Sequence, residues 1–183
     1  MKTRRIAENI IIYSTFAFYT LLLMKIFFMS RVPFGELVDI ERAIERPVNL
    51  IPLRGIAEYL FSKDELVKQF AFGNVAGNII VFAPMGLFVQ TLRKNEKMPA
   101  NVLLIVLLSV LVEAVQWAFG IGAADIDDVI LNVIGGTIGI WGCRLLTLLL
   151  KKDEEKTHTA VAVVSLLGLP VIINLLFFTI MRL

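Results

Sequence analysis

The sequence predicts an all-α integral membrane protein of about five transmembrane helices. Hydrophobic residues make up 57% of the 183-residue chain, and the mean hydropathy is +0.79. Soluble domains average about 45–50% apolar residues. The excess lies in runs long enough to cross a bilayer, which takes roughly 20 residues as a helix. Basic residues then cluster in alternate connections between those runs, as orientation in a membrane requires. Short alternating segments of a β-barrel are absent from the pattern.

The first span covers residues 6–29, with Glu8 and Asn9 near one end and Lys25 near the other, both ends within snorkelling reach of water. A basic start, Met1-Lys-Thr-Arg-Arg, precedes it. Met29-Ser30-Arg31 is not a small-x-small cleavage site, so an uncleaved anchor is expected. A polar stretch follows over residues 30–69, too long for a tight connection. Within it Leu53, Ile56, Ala57, Leu60 and Phe61 recur at helical spacing, which predicts a short interfacial helix. Ser62-Lys63-Asp64-Glu65 has the pattern of a helix start.

The second span covers residues 72–92 and contains Pro84; Arg93, Lys94 and Lys97 close it. The third covers residues 101–119. The acidic, glycine-bearing segment 120–127 leads into the fourth span, residues 128–150. After a hydrophilic stretch at 151–159, the fifth span covers residues 160–180 with Pro170 as an expected kink. Lys2, Arg4 and Arg5, then Arg93, Lys94 and Lys97, then Arg144, Lys151, Lys152 and Lys156 all fall on one side for five spans. That side is expected to be cytoplasmic. The N-terminus is then inside, the C-terminus outside, and the long loop is an outer one. The whole chain, residues 1–183, reads as a single transmembrane domain.

Several function classes are excluded or left without support. A formal net charge of +2 does not point to nucleic acid. One cysteine, Cys143, permits no internal disulfide, and one histidine, His158, leaves no histidine- or cysteine-rich zinc site. No P-loop or H-E-x-x-H motif is present. His158 is expected to be solvated, and Cys143 to be deep and unreactive.

Polar residues gather instead at one end of the spans. Asn74 and Asn78 are one helical turn apart at the start of span two. Glu113 and Gln116 share a face near the end of span three. Asp125, Asp127 and Asp128 open span four, with Asn132 one turn further. Arg31, Arg46 and Arg54 come from the adjoining loop. An ionised group at membrane depth costs about 3 kcal/mol or more, so such residues normally face a bundle interior or a wet cavity. Glu113 therefore needs a partner, for which Arg46 and Arg54 are the candidates. The aspartates also read as helix caps, the asparagines as interhelical hydrogen-bond glue, and the arginines as headgroup contacts. Gly135, Gly136 and Gly139 read as a close-packing stripe, which Gly73 and Gly77 extend to span two.

These residues also carry a family resemblance. Arg46-Pro-Val-Asn49-Leu-Ile-Pro-Leu53 resembles the R-x-x-N-L-I-P-F segment of VanZ-like proteins. Asn74-Val-Ala-Gly-Asn78-Ile-Ile-Val-Phe-Ala-Pro84-Met-Gly86 resembles their N-x-x-G-N-x-x-x-F-x-P-x-G helix. Glu113-Ala-Val-Gln116 matches E-x-x-Q, and the run from Asp125 to Gly139 resembles D-x-D-D-x-x-x-N-x-x-G-G-x-x-G. The motifs stand in the family's order across residues 46–145; Leu53 replaces the usual aromatic. The resemblance implies a small multi-pass protein of the bacterial cytoplasmic membrane. Founding members are linked to resistance against teicoplanin-type lipoglycopeptides, and no catalytic mechanism is carried over.

The leading expectation is an envelope-binding or protection protein. Arg46, Asn49, Arg54, Asn74, Asn78, Glu113, Gln116, Asp125, Asp127, Asp128 and Asn132 are its candidate ligand-binding residues, in an outward-facing polar pocket. Its partners would be membrane lipid and a lipid-linked cell-wall precursor or lipoglycopeptide. No nucleic acid, cofactor or metal is expected, and a homo-oligomer is left open. An enzyme acting on a lipid-linked substrate is a second reading, with Glu113 and Asp127 or Asp128 as an acid–base pair. A transporter with helices broken near Pro84 and Pro170 is a third.

Overall fold

The computed structural model describes residues 2–29, 48–93 and 97–181. Arg31 and Arg46 lie outside the described residues. Five helices are long and apolar enough to cross a membrane. The chain divides into two compact units, residues 37–142 and residues 1–36 with 143–183.

Among the described residues, the unit of residues 37–142, central in the sequence, begins at a two-residue strand, β1 (Val48–Asn49), followed by the short helix α2 (Arg54–Phe61). Helix α3 (Glu65–Arg93) starts where the sequence pattern places a start. Its cap is Asp64 rather than Ser62: Leu66 N–H donates to Asp64 Oδ1 at 2.8 Å. Pro84 lies inside α3, which continues unbroken through it. Helix α4 (Met98–Ala118) has proline in its first turn, where the missing N–H costs no hydrogen bond. At 21 residues and about 1.5 Å per residue it matches the hydrocarbon thickness. A second two-residue strand, β2 (Ala124–Asp125), pairs in parallel with β1 and leads into α5 (Ile126–Leu149).

Helix α4 turns its polar stripe inward. Asn101, Ile105, Ser109, Glu113 and Gln116 are its buried residues. Leu103, Leu107 and Leu111 on the same helix are exposed. Hydrocarbon outside and polar groups inside is the arrangement that membrane solvent favours, because a polar side chain facing lipid has nothing to bond.

Helices α3 and α5 run parallel at backbone contact. A Cβ at Gly135 would collide with the Ile79 carbonyl, one at Gly139 with the Ala83 carbonyl, and one at Gly86 with the Gly136 carbonyl. A Cβ at Gly136 would meet Ile105 Cγ2 of α4 at 2.5 Å. The reading of Gly73 and Gly77 as part of this stripe is corrected. Nothing lies within 4 Å of a Cβ at either. Gly86, two turns deeper, is the α3 residue that lets the backbones touch.

In the other unit, α1 (Lys2–Met24) ends in a π-helical turn at Lys25–Met29, and α6 (Glu154–Met181) packs along it. The two run parallel, since Glu8 meets Thr159 and Thr15 meets Ser165. Parallel first and last spans require an odd number of spans between them, and five spans leave three. Two expectations are corrected here. Lys25 is buried rather than snorkelling. His158 is not solvated: its Nδ1 lies 3.0 Å from Oε2 of the buried Glu8, and only 11% of its side chain is exposed.

Candidate functional site

In the central unit the start of α3, the end of α4 and the start of α5 meet, and hydrogen bonds join the polar residues there. Asn74 Nδ2 and Asn78 Nδ2 both donate to Asp128 Oδ1, at 2.9 and 2.7 Å. Asn78 also reaches Asn74 Oδ1 at 3.3 Å, as one-turn spacing allows. Glu113 Oε2 accepts the backbone N–H of Asp125 at 3.0 Å. Asp125 Oδ1 accepts from Asn49 Nδ2 at 3.0 Å and from the Asp127 N–H at 2.8 Å.

Asp127 has a different occupation. Its Oδ1 accepts the Leu53 N–H and its Oδ2 accepts the Gly55 N–H at 2.7 Å. Both donors belong to the start of α2, whose first N–H groups have no intrahelical partner. A carboxylate supplied by another helix therefore caps α2, and the positive end of the helix dipole favours that charge. The cost is local strain: Leu53 has φ 67°, a left-handed conformation uncommon for leucine. Asp127 is 2% exposed. With both oxygens held by backbone donors, its chemistry is that of an anchor.

A deeper layer lies one turn further in. Asn132 Nδ2 donates to Ser109 Oγ at 3.0 Å, and both residues are fully buried. Toward the end of α4, Gln116 is buried on the same face as Glu113, and its backbone carbonyl accepts the Ile121 N–H at 3.0 Å. At the far end of the same helices Asn101 Nδ2 donates to Gln90 Oε1 at 2.8 Å.

The hydrogen-bonded layer borders a cavity of about 300 Å³. Its polar walls are Asn74, Asp125 and Asp127; Ile56, Val67, Val75 and Leu131 are among its apolar ones. Such a cavity offers carboxylate oxygens in largely apolar surroundings, which suits an amine or a cluster of hydroxyls. Among the described residues no three histidine, cysteine, aspartate or glutamate side chains are placed to hold a metal ion. Arg54 stands at the start of α2 and lines a neighbouring, larger space.

Asn49, Asn74, Asn78, Glu113, Asp125, Asp127 and Asp128 thus converge, and Asn132 lies one turn below them. The β1–β2 ladder that brings Asn49 to Asp125 could not be read from sequence. Its strands are two residues each, too short for any periodicity. Leu53 and Gly55 act through their backbone N–H groups, which no side-chain pattern reveals.

The VanZ/LLP1 family profile matches residues 16–149 of this chain. Protein VanZ of Enterococcus faecium is 36% identical over 69 residues, which is 38% of this chain and 43% of that protein. The match thus spans less than half the length of that relative. No solved structure matches the chain.

Proposed function

The chain belongs to the VanZ/LLP1 family and is a multi-pass membrane protein; from that premise we propose that it is a protection protein of the bacterial cytoplasmic membrane. In this reading the 300 Å³ cavity opens on the outer face and holds an amine-bearing envelope ligand. The ligand class this reading takes is a lipoglycopeptide of the teicoplanin type, of which only an amine-bearing portion would enter a cavity of that size. The supporting observation is the cavity wall, where Asp125 and Asn74 present polar atoms among apolar neighbours. A carboxylate in a poorly hydrated wall binds an ammonium group through a charge-assisted hydrogen bond. Asp127, Asp128 and Glu113 support the site by holding α2, α3 and β2 in place.

The enzyme reading is weaker on the same geometry. Asp127 accepts two backbone N–H groups and Glu113 accepts a third. A general acid must release and regain a proton without dismantling its surroundings, and Asp127 would drop its anchor on α2 in doing so. The transport reading rested on helices broken at Pro84 and Pro170; α3 and α6 both run continuously through them.

The test is the teicoplanin susceptibility of a susceptible Gram-positive host expressing the chain. Wild type is expected to raise the inhibitory concentration severalfold, and Asp125→Asn to return it to the host's level at equal membrane abundance. An unchanged inhibitory concentration with wild type would remove the drug from the proposal.

A further inference from the structure

Next to the polar cavity, α2 and the chain on either side of it enclose a groove of about 730 Å³. Ile51, Ala57, Phe61 and Val67 form its apolar walls, and Arg54 and Ser62 are its polar groups. The surface around it is unusually apolar for a connection between helices. Leu50 is 72% exposed, Ile51 62%, Phe61 82% and Leu66 64%. Large aliphatic and aromatic side chains clustered at that exposure mark a surface that meets something apolar. The groove reaches the first turn of the membrane-length helix α3 (Glu65–Arg93), whose Val67 is one of its walls. A groove at the end of such a helix stands near the headgroup level if the helix spans the bilayer.

We infer that this groove seats the alkyl chain of an anionic membrane lipid whose phosphate is held by Arg54. A molecule already in the bilayer reaches such a boundary groove by lateral diffusion, with its chain on the hydrocarbon side. The apolar walls match the chain. The guanidinium matches a phosphate, which it binds with two parallel N–H donors. Because α2 starts with its first N–H groups held by Asp127, an occupied groove also steadies the element that closes the polar cavity. The inference goes beyond the polar-cavity reading and does not depend on it. Val67 alone is shared between the two spaces, and Arg54 lines only the groove.

The test is thermal unfolding of the protein in phosphatidylcholine nanodiscs, with hexadecyl phosphate, hexadecanol or inorganic phosphate added. A ligand that binds only the folded state, at about ten times its Kd, raises the melting temperature by roughly 3–6 °C. That rise is expected with hexadecyl phosphate alone. Arg54→Gln is expected to abolish it and Arg54→Lys to retain part of it. Ile51→Asp, which sets a carboxylate on an exposed wall, is expected to abolish it as well. An equal rise with hexadecanol, a rise with inorganic phosphate, or a rise that persists in Arg54→Gln would overturn the inference. No rise with any of the three would assign the groove to another occupant, such as a second copy of the chain, and would overturn it too.

Discussion

Gly55 donates its backbone N–H to Asp127 at 2.7 Å across 72 residues of sequence. That bond, with its twin from Leu53 to the other oxygen, makes the start of α5 the cap of α2. Asp127→Asn keeps one acceptor but turns an amide N–H toward a backbone N–H. Losing a charge-assisted hydrogen bond costs about 1.5–3 kcal/mol. The expected outcome is a lower melting temperature with faster proteolysis within residues 50–64, measured by limited digestion in detergent. Asp125→Asn retains its Oδ1 acceptor and is expected to leave that digestion pattern unchanged.

Gly139 faces the Ala83 carbonyl with no room for a methyl group. Gly139→Ala must push α3 and α5 apart, and overpacking of that kind costs about 1–3 kcal/mol. Gly77→Ala, with open space around it, is expected to match wild type. The comparison is made on thermal unfolding of the two purified variants. Equal melting temperatures for both would contradict the close approach.

Glu8 is buried and takes hydrogen bonds from Arg4, at 2.9 Å, and Thr159, at 2.8 Å, while His158 lies 3.0 Å away. The Thr159 and His158 contacts join α1 to α6. In a double-mutant cycle, Glu8→Gln and His158→Gln are expected to couple by about 0.5–3 kcal/mol. Additive losses would mean that the contact carries no energy.

Asp153 precedes α6 and accepts the Lys156 backbone N–H at 3.0 Å, with the Lys156 ammonium 2.9 Å away. Those two bonds, the backbone one foremost, hold its carboxyl below the ordinary value. A depressed folded-state value adds stability above the unfolded-state pKa, and that contribution disappears as pH falls through the folded-state value. Wild type is therefore expected to lose melting temperature below the ordinary aspartate pKa of about 3.9. Asp153→Asn should show a shallower loss over the same range, followed by circular dichroism.

The spans were legible because apolar runs of membrane length are a local signal. The start of α3 was legible at residues 62–65, since a cap is written within four residues. The convergence of Asn74, Asn78, Glu113 and the aspartates followed from span parity, which fixes which helix ends share a level. What distant residues do to one another was not legible. His158 and Glu8 are 150 residues apart, and no local pattern pairs them. Asp127 looked like a ligand because carboxylates in a membrane usually face something. What it faces is backbone, and backbone donors carry no sequence signature. Gly73 and Gly77 have the same spacing as true contact glycines; which face of α3 meets α5 is a matter of helix rotation that spacing alone leaves open.

The most direct measurement is thermal unfolding of the purified protein with teicoplanin, wild type against Asp125→Asn, with a lipid-linked peptidoglycan precursor as the parallel ligand. The account predicts a concentration-dependent rise for wild type with one of the two ligands, and no rise for Asp125→Asn at an equal baseline. An equal rise in both proteins, or none in wild type with either ligand, would contradict the claim that the Asp125 cavity is where the protein binds.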